Sequence, residues 1–346
     1  MIEGKIPENV LKRSILKELK VKNENVITGA AFGEDCAILN MNGDKKIPAE
    51  AYGKLGAATA FAEGKENAGT AIHKAANNLY ASGFDFEFAE VSLMLREDTE
   101  EAEIKEVMRE VDSVCVKLGG TIVGGHTAVL KNPTGGNSEN EGKSGNILLS
   151  VTAFGRSFEE NQKGVLSKKN ISPGDSIVVS KQIGIEGALE ILHTKRDVTA
   201  DHFGESFLGF FEGYENLLSV KKESKIAVKT GAVSMKDASE HGIFGALWEL
   251  ASAANRGLKV DLKAIPVRQE IIEICNLFDI NPYEMKSSGM LIMVTKEPDI
   301  LTEALLKEGI PAAVIGTFTD NNDRIVINGE ETRFLEKIKQ DAVYKL

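Results

Sequence analysis

The residues able to do chemistry in this chain are scattered carboxylates, amides and glycines, each set against an apolar run. In 28–39 a glycine turn at Gly33 delivers Glu34 and Asp35 directly before the apolar Ala37–Leu39. Acids so placed can hold Mg²⁺ against a nucleotide, because that ion takes hard oxygen ligands and keeps waters for the phosphates. The same acids serve equally as turn caps. His73, Asn77 and Asn78 fall within Glu66–Ser82, where residues four apart share a helical face and can bind a ligand or cap a neighbouring loop. Gly124, Gly125 and His126 interrupt the apolar Thr121–Leu130, where a bulge or a close backbone approach is expected. In Val228–Gly257, Asp237, Ser239 and Glu240 precede Gly242 and Gly245, and Ile243, Leu247, Leu250, Ala251 and Ala254 then recur at helical spacing. Asp237 and Ser239 are helix-start residue types, with Glu240 on the favourable side of the helix dipole. A glycine-bearing helix entrance offers N–H groups to an anion such as a phosphate. Alternatively, its glycines only admit a neighbouring element.

The elements that must position these groups alternate. Pro7 opens an amphipathic helix with Val10, Leu11, Ile15, Leu16 and Leu19 on one face. Helices are expected over Glu66–Ser82, Glu100–Leu118, Ala188–Leu192, Phe203–Val220, Val267–Leu277 and Ile300–Glu308. Strands are expected over Phe84–Leu95, Thr121–Leu130, Ile147–Phe154, Ile177–Ser180, Lys259–Leu262, Met290–Val294 and Ala312–Thr317. This is an α/β or α+β pattern. The rings of Phe203–Val220 suit a core or a subunit interface better than a cofactor site. Lys131–Asn146 reads as a loop, most simply a hairpin tip.

At 346 residues the chain favours two domains, divided as 1–158 and 159–346. The net charge of −11 leaves no basic stripe for nucleic acid, although a local basic pocket for a small anion remains compatible with it. Cys36, Cys115 and Cys275 are isolated in apolar runs and read as buried thiols of a reducing compartment. No apolar stretch is long enough to span a bilayer and no signal-peptide pattern is present, so a cytoplasmic location is expected.

The order and spacing of several pieces carry a resemblance. They include Gly33–Ile38, Asn67 through Gly83, Val123–Thr127, Pro173–Asp175, Gly184–Gly187, Asp237–Ala251, Ile265–Arg268 and Ser287–Gly289. Together they make the chain similar to the aminoimidazole-ribonucleotide (AIR) synthase-related, PurM-like superfamily, and within it to the hydrogenase-maturation, HypE-like branch. The resemblance implies a PurM-like fold of two α/β domains, and a homodimer whose N-terminal sheets close a barrel-like interface. It also implies ATP and Mg²⁺ in the interdomain cleft, phosphoryl-transfer chemistry, and a maturation partner protein. Carried over by position, the nucleotide and phosphate side becomes Asp35, Asn78, Gly124, Gly125, His126, Asp237 and Gly242, with Asp35 the one metal ligand.

The departures matter as much. Asn78 stands where the family has an acid, Ala57–Phe61 supplies none, and Ala128 follows His126 where an acid is common. His241-Gly242 replaces a glycine pair, and no cysteine follows Cys275, whereas the hydrogenase branch carries a terminal acceptor cysteine. The expected outcome is weak or absent Mg-ATP binding and no carbamoyl chemistry on a thiol of the chain's own. A non-catalytic dimeric ligand-binding or assembly protein is the alternative.

Overall fold

The computed structural model describes residues 5–19, 23–41, 53–131, 147–158 and 166–346. A first sheet holds β1 (Val26–Thr28), β2 (Ala37–Asn40), β3 (Lys54–Glu63), β4 (Phe88–Leu95), β5 (Thr121–Val129) and β6 (Ile147–Arg156), in the order β1-β2-β3-β6-β4-β5. The β4–β5 pair is parallel, because an entire helix intervenes between its strands. Two helices, α2 (Ala68–Ala81) and α3 (Glu101–Leu118), follow a single turn α1 (Glu8–Val10) in chain order. They cover one face of the sheet, where the alternate residues Ala58, Ala60, Ala89, Val91, Leu93, Leu149, Val151 and Ala153 are buried. The opposite face is bare: Phe61 and Phe88 remain 59% and 45% exposed, and Thr59 meets Thr152 across the surface at 3.2 Å. Among the described residues this sheet ends at β1 and β5, and the barrel implied by the resemblance would need the sheet of a second copy.

The second sheet contains β7 (Ser176–Ser180), β8 (Ser234–Asp237), β9 (Gly257–Asp261), β10 (Leu291–Thr295), β11 (Ala312–Thr319), β12 (Arg324–Asn328) and β13 (Glu331–Phe334), ordered β13-β12-β9-β11-β7-β10-β8. Its helices are α4 (Ile185–Thr194), α5 (Arg196–Phe203), α6 (Glu205–Leu208), α7 (Lys221–Lys229), α8 (Gly242–Ala254), α9 (Gln269–Leu277) and α10 (Pro298–Lys307). Every residue of β10 is buried, since both of its faces are covered. Ile292 and Val294 pack toward Ile243, Leu247 and Leu250 of α8, whereas Leu291 and Met293 join the core that begins in the first sheet. That shared core also takes in Ala227 of α7 and Leu301 and Leu305 of α10, so the two sheets are not independently buried.

Several expectations change. The N-terminal amphipathic helix is only α1, continued by a π turn at Leu11–Ile15 and a 3-10 turn at Leu16–Glu18, and Ile15 and Leu19 stay exposed. Its apolar stripe finds no core to bury against, and periodicity alone does not hold so short a helix. Phe203–Val220 is not one helix, because Gly204 and Gly213 take φ values of 85° and 84° and turn the chain. The rings still form a ladder, with Phe203 stacked on Phe207 at 4.2 Å and Phe211 edge-on to Tyr214 at 5.2 Å. Asp237 and Ser239 do not start the following helix: Asp237 ends β8, and His241 is the residue that precedes α8. The expected loop at Lys131–Asn146 lies, from 132 onward, outside the described residues.

The halves are also joined by one amide. Asn77 of α2 donates to the Leu218 carbonyl at 2.8 Å and accepts from the Val220 N–H at 3.1 Å, fully buried. Asn77→Ala would leave both backbone groups unpaired in the interior. It should lower the stability read from urea unfolding by about 2–4 kcal/mol. A loss below about 0.5 kcal/mol would show that water or a shifted side chain replaces the amide.

Candidate interdomain nucleotide site

Charge is buried between the halves around consecutive residues of β8. Lys236, 3% exposed in its side chain, donates to Asp35 of the first glycine turn and to Glu249 of α8, the latter at 2.9 Å. Glu249 also accepts from Lys5 at 3.2 Å, and Glu34 from Lys168 at 2.6 Å. Asp35 and Glu249 face a cavity of about 610 Å³ whose other walls include Phe32, Trp248, His241 and Lys337. A second cavity of about 600 Å³ shares Lys5 and is walled by Lys74, Glu186, Glu190, Glu240, Lys286 and Tyr344. There Lys74 pairs with Glu186 at 3.0 Å, Lys286 with Glu190 at 2.8 Å, and the Tyr344 hydroxyl donates to Glu240 at 2.9 Å.

Burial opposes the charges of Asp35, Lys236 and Glu186, and the partners outweigh it. Desolvation would raise Asp35, yet Lys236, Lys5 and Lys168 hold its carboxyl well below the usual range. Desolvation would lower Lys236, yet Asp35 and Glu249 push it above an ordinary lysine. Glu186 is held down by Lys74 and Lys286 against its burial. Asp237 behaves oppositely: burial, and then the neighbouring Glu186, raise it to about 7. Its Oδ1 finds no hydrogen-bond partner among the described residues, while Ser288 Oγ reaches Oδ2 at 3.4 Å. Burial also raises Asp341 to about 7, although its oxygens accept the backbone N–H groups of His241 and Val343 at 2.6 and 3.1 Å.

The expected site residues separate into two groups. Asp35 and Asp237 come together at the interdomain charge network. Gly242 is beside it, but its N–H bonds the Ser239 carbonyl at 3.1 Å, and a Cβ there would lie 2.5 Å from the Met285 carbonyl oxygen. That glycine admits a neighbouring loop. The intrusion at the helix entrance is His241, held at φ 66° with its N–H on Asp341 and its Nε2 buried without a partner among the described residues. Asn78 is half-buried on α2 and lines neither cavity. Gly124, Gly125 and His126 lie on edge strand β5 and also line neither cavity. The expected bulge is there: Ala89 pairs Ile122 but Glu90 pairs Gly124, leaving Val123 as the extra residue. Gly125 is required by close approach, since a Cβ would fall 1.7 Å from the Val91 carbonyl oxygen. Sequence reading missed Lys74 and Lys236. The available signal was a lysine inside an alanine-rich buried helix and another inside a buried strand, where an unpaired ammonium is costly.

This two-sheet architecture, with its charged interdomain cleft, is that of a PurM-like α/β protein. The chain belongs to the AIR synthase-related family: residues 33–157 match "AIR synthase related protein, N-terminal domain" and 172–328 the corresponding C-terminal domain. It is similar to a putative hydrogenase expression/formation protein of Methanocaldococcus jannaschii, 24% identical over 330 residues that cover 94% of this chain and 91% of that protein. It is also similar to carbamoyl dehydratase HypE of Azotobacter vinelandii, 24% identical over 77% of this chain and 73% of that one. Among solved structures, a hydrogenase maturation protein HypE in complex with ATP superposes with a TM-score of 0.67 at 18% identity, covering 99% of this chain and 97% of that chain. AaThiL complexed with AMPPCP and TMP gives 0.65 at 18% identity, over 90% and 91%.

The raised carboxyls set a pH dependence. A folded-state pKa of about 7, above the 3.8 of an ordinary aspartate, means that the folded protein holds these protons more tightly than the unfolded chain. Their contribution is complete below about pH 4 and is lost as pH rises through 7. Asp237→Asn removes one such titration. Thermal unfolding should therefore place the variant higher relative to wild type at pH 8 than at pH 5, by a few degrees. An offset independent of pH would contradict this.

Proposed function

We propose that this protein is a HypE-like member of the family that binds ATP or another phosphorylated ligand in the interdomain cleft, at a degenerate magnesium site. The observation that carries the reading is the buried network around β8, which places Lys5, Lys74 and Lys286 on a cavity of nucleotide-compatible size. These ammonium groups suit phosphate oxygens, and Asp35 lines the neighbouring cavity, which shares Lys5. Relatives of this fold with ATP and AMPPCP named in their structures support the ligand class.

The residues present fit Mg²⁺ poorly. Asp35 is bonded to Lys236, Glu249 to Lys236 and Lys5, and Asn78 brings no charge. Among the described residues no group of three or more His, Cys, Asp or Glu is arranged to hold a metal ion. Because phosphoryl transfer depends on metal neutralising phosphate charge, an ATP-dependent enzyme of this kind would be slow. A non-catalytic ligand-binding or assembly role is the second reading, and the same ion pairs favour it.

A homodimer completes the proposal. The bare face of the first sheet, with Phe61 and Phe88, suits a second copy. Gly124, Gly125 and His126 lie away from both cavities of their own chain, so a part for them in a cleft would be played in that of such a copy. A maturation partner protein is supported by a HypE–HypF complex, similar to this chain at 16% identity and a TM-score of 0.64. Cys36, Cys115 and Cys275 are buried, with burial raising them to about 11, 11 and 12, so none is poised as an acceptor thiolate. The two matched domains, divided near 158, form the two walls of the cleft.

Titration calorimetry should give an ATP affinity weaker than about 10 μM, which is about −7 kcal/mol, nearly the same with and without Mg²⁺. Sub-micromolar, magnesium-dependent binding would defeat the degenerate-site reading. Sedimentation at micromolar concentration should give a dimer, and Phe61→Glu with Phe88→Glu a folded monomer. A wild-type monomer would remove the second copy from the site.

A further inference from the structure

The ammonium of Lys236 lies between two carboxylates brought from distant parts of the chain. It donates to Asp35 Oδ2 from the first glycine turn and to Glu249 Oε2 at 2.9 Å from α8. A lysine head is a compact point charge with three donors and no acceptor. Bridging two carboxylates from beneath, it makes the contacts that a cation shared by those carboxylates would make. Depth supports this: Lys236 is 3% exposed, while Asp35 at 27% and Glu249 at 11% turn their remaining surface to the 610 Å³ cavity.

We infer that Lys236 is a resident cation that takes the place of a divalent metal between Asp35 and Glu249, closing this part of the cleft to Mg²⁺ and making it metal-independent. The local charge count agrees. The acids converging here are Glu34, Asp35 and Glu249; the ammonium groups are Lys5, Lys168 and Lys236. The cluster is neutral as it stands, and a divalent ion would add two uncompensated charges. Without Lys236 it carries one net negative charge, and two carboxylates face an accessible cavity, a donor set that suits a hard cation. Asp237, next in sequence, offers no alternative partner within this cluster, because its carboxyl meets Ser288 on the other side of β8. The inference rests on the degenerate-site reading but not on ATP being the ligand.

The test uses Mn²⁺ alone, followed by electron paramagnetic resonance of the free ion, on the full chain without nucleotide. Wild type should bind no Mn²⁺ below about 1 mM, which corresponds to about −4 kcal/mol. Lys236→Met should bind one equivalent at least tenfold more tightly, and adding Asp35→Asn should abolish that binding. Wild-type binding as tight as that of Lys236→Met, or a folded Lys236→Met that binds none, would overturn the inference. Should Lys236→Met not fold, Lys236→Gln keeps a donor to one carboxylate without the charge, and Mn²⁺ should raise its melting temperature by several degrees. A glutamine variant that Mn²⁺ neither binds nor stabilises counts equally against the inference. Failure of ATP binding would leave every one of these outcomes readable.

Discussion

The contact on which the cleft depends is the bridge from Lys236 to Asp35 and Glu249. It ties a loop of the first half, an edge strand of the second and the helix that follows that strand. Taking an ammonium out of water is expensive, and the two carboxylates that meet Lys236 offset that cost. The same bridge fixes the glycine turn at 33–35, where Gly33 adopts a φ of 81° and passes against the Glu249 carbonyl oxygen of α8. Electrostatics and close backbone packing therefore act on one spot, and the walls of the larger cavity follow from it.

Much of the architecture was legible in the sequence because it rests on strong periodic patterns. The helix at Glu101–Leu118 stands where its apolar spacing and the Gly119 stop put it, and the bulge in β5 falls at its glycines. What escaped was short or broken by context. The hairpin of β12 and β13 turns at Gly329-Glu330, with Gly329 at a φ of 65°, a glycine-first turn signal that a short exposed edge pair did not reinforce. α7 carries no expectation because Lys221–Lys229 is mostly polar, with only Ile226, Ala227 and Val228 apolar. At the site, acids next to glycines drew attention, yet their chemistry is decided by lysines 201 and 134 residues away. No local pattern reports a partner at that separation.

The consecutive residues Lys236 and Asp237 illustrate why position within an element matters as much as identity. Side chains of adjacent strand residues point to opposite faces. Lys236 is thereby directed to two carboxylates and gains charge stabilisation, while Asp237 is directed toward Glu186 and Ser288 and gains a proton near neutrality. One four-residue strand thus feeds a charged contact to each side of the cleft.

Among the described residues β8 is also the last strand of its sheet, paired only with β10, and every one of its residues is buried. Helix α2 from the first half packs against it. An uncovered strand edge is a template for pairing with other chains, and proteins commonly shield such edges with helices. Here the shield is supplied by the opposite half of the molecule. The second half on its own would present an apolar face together with an unpaired strand, and its route out of that state is self-association. The partition into two units that the family boundaries suggest is therefore a partition of sequence; solubility belongs to the two together.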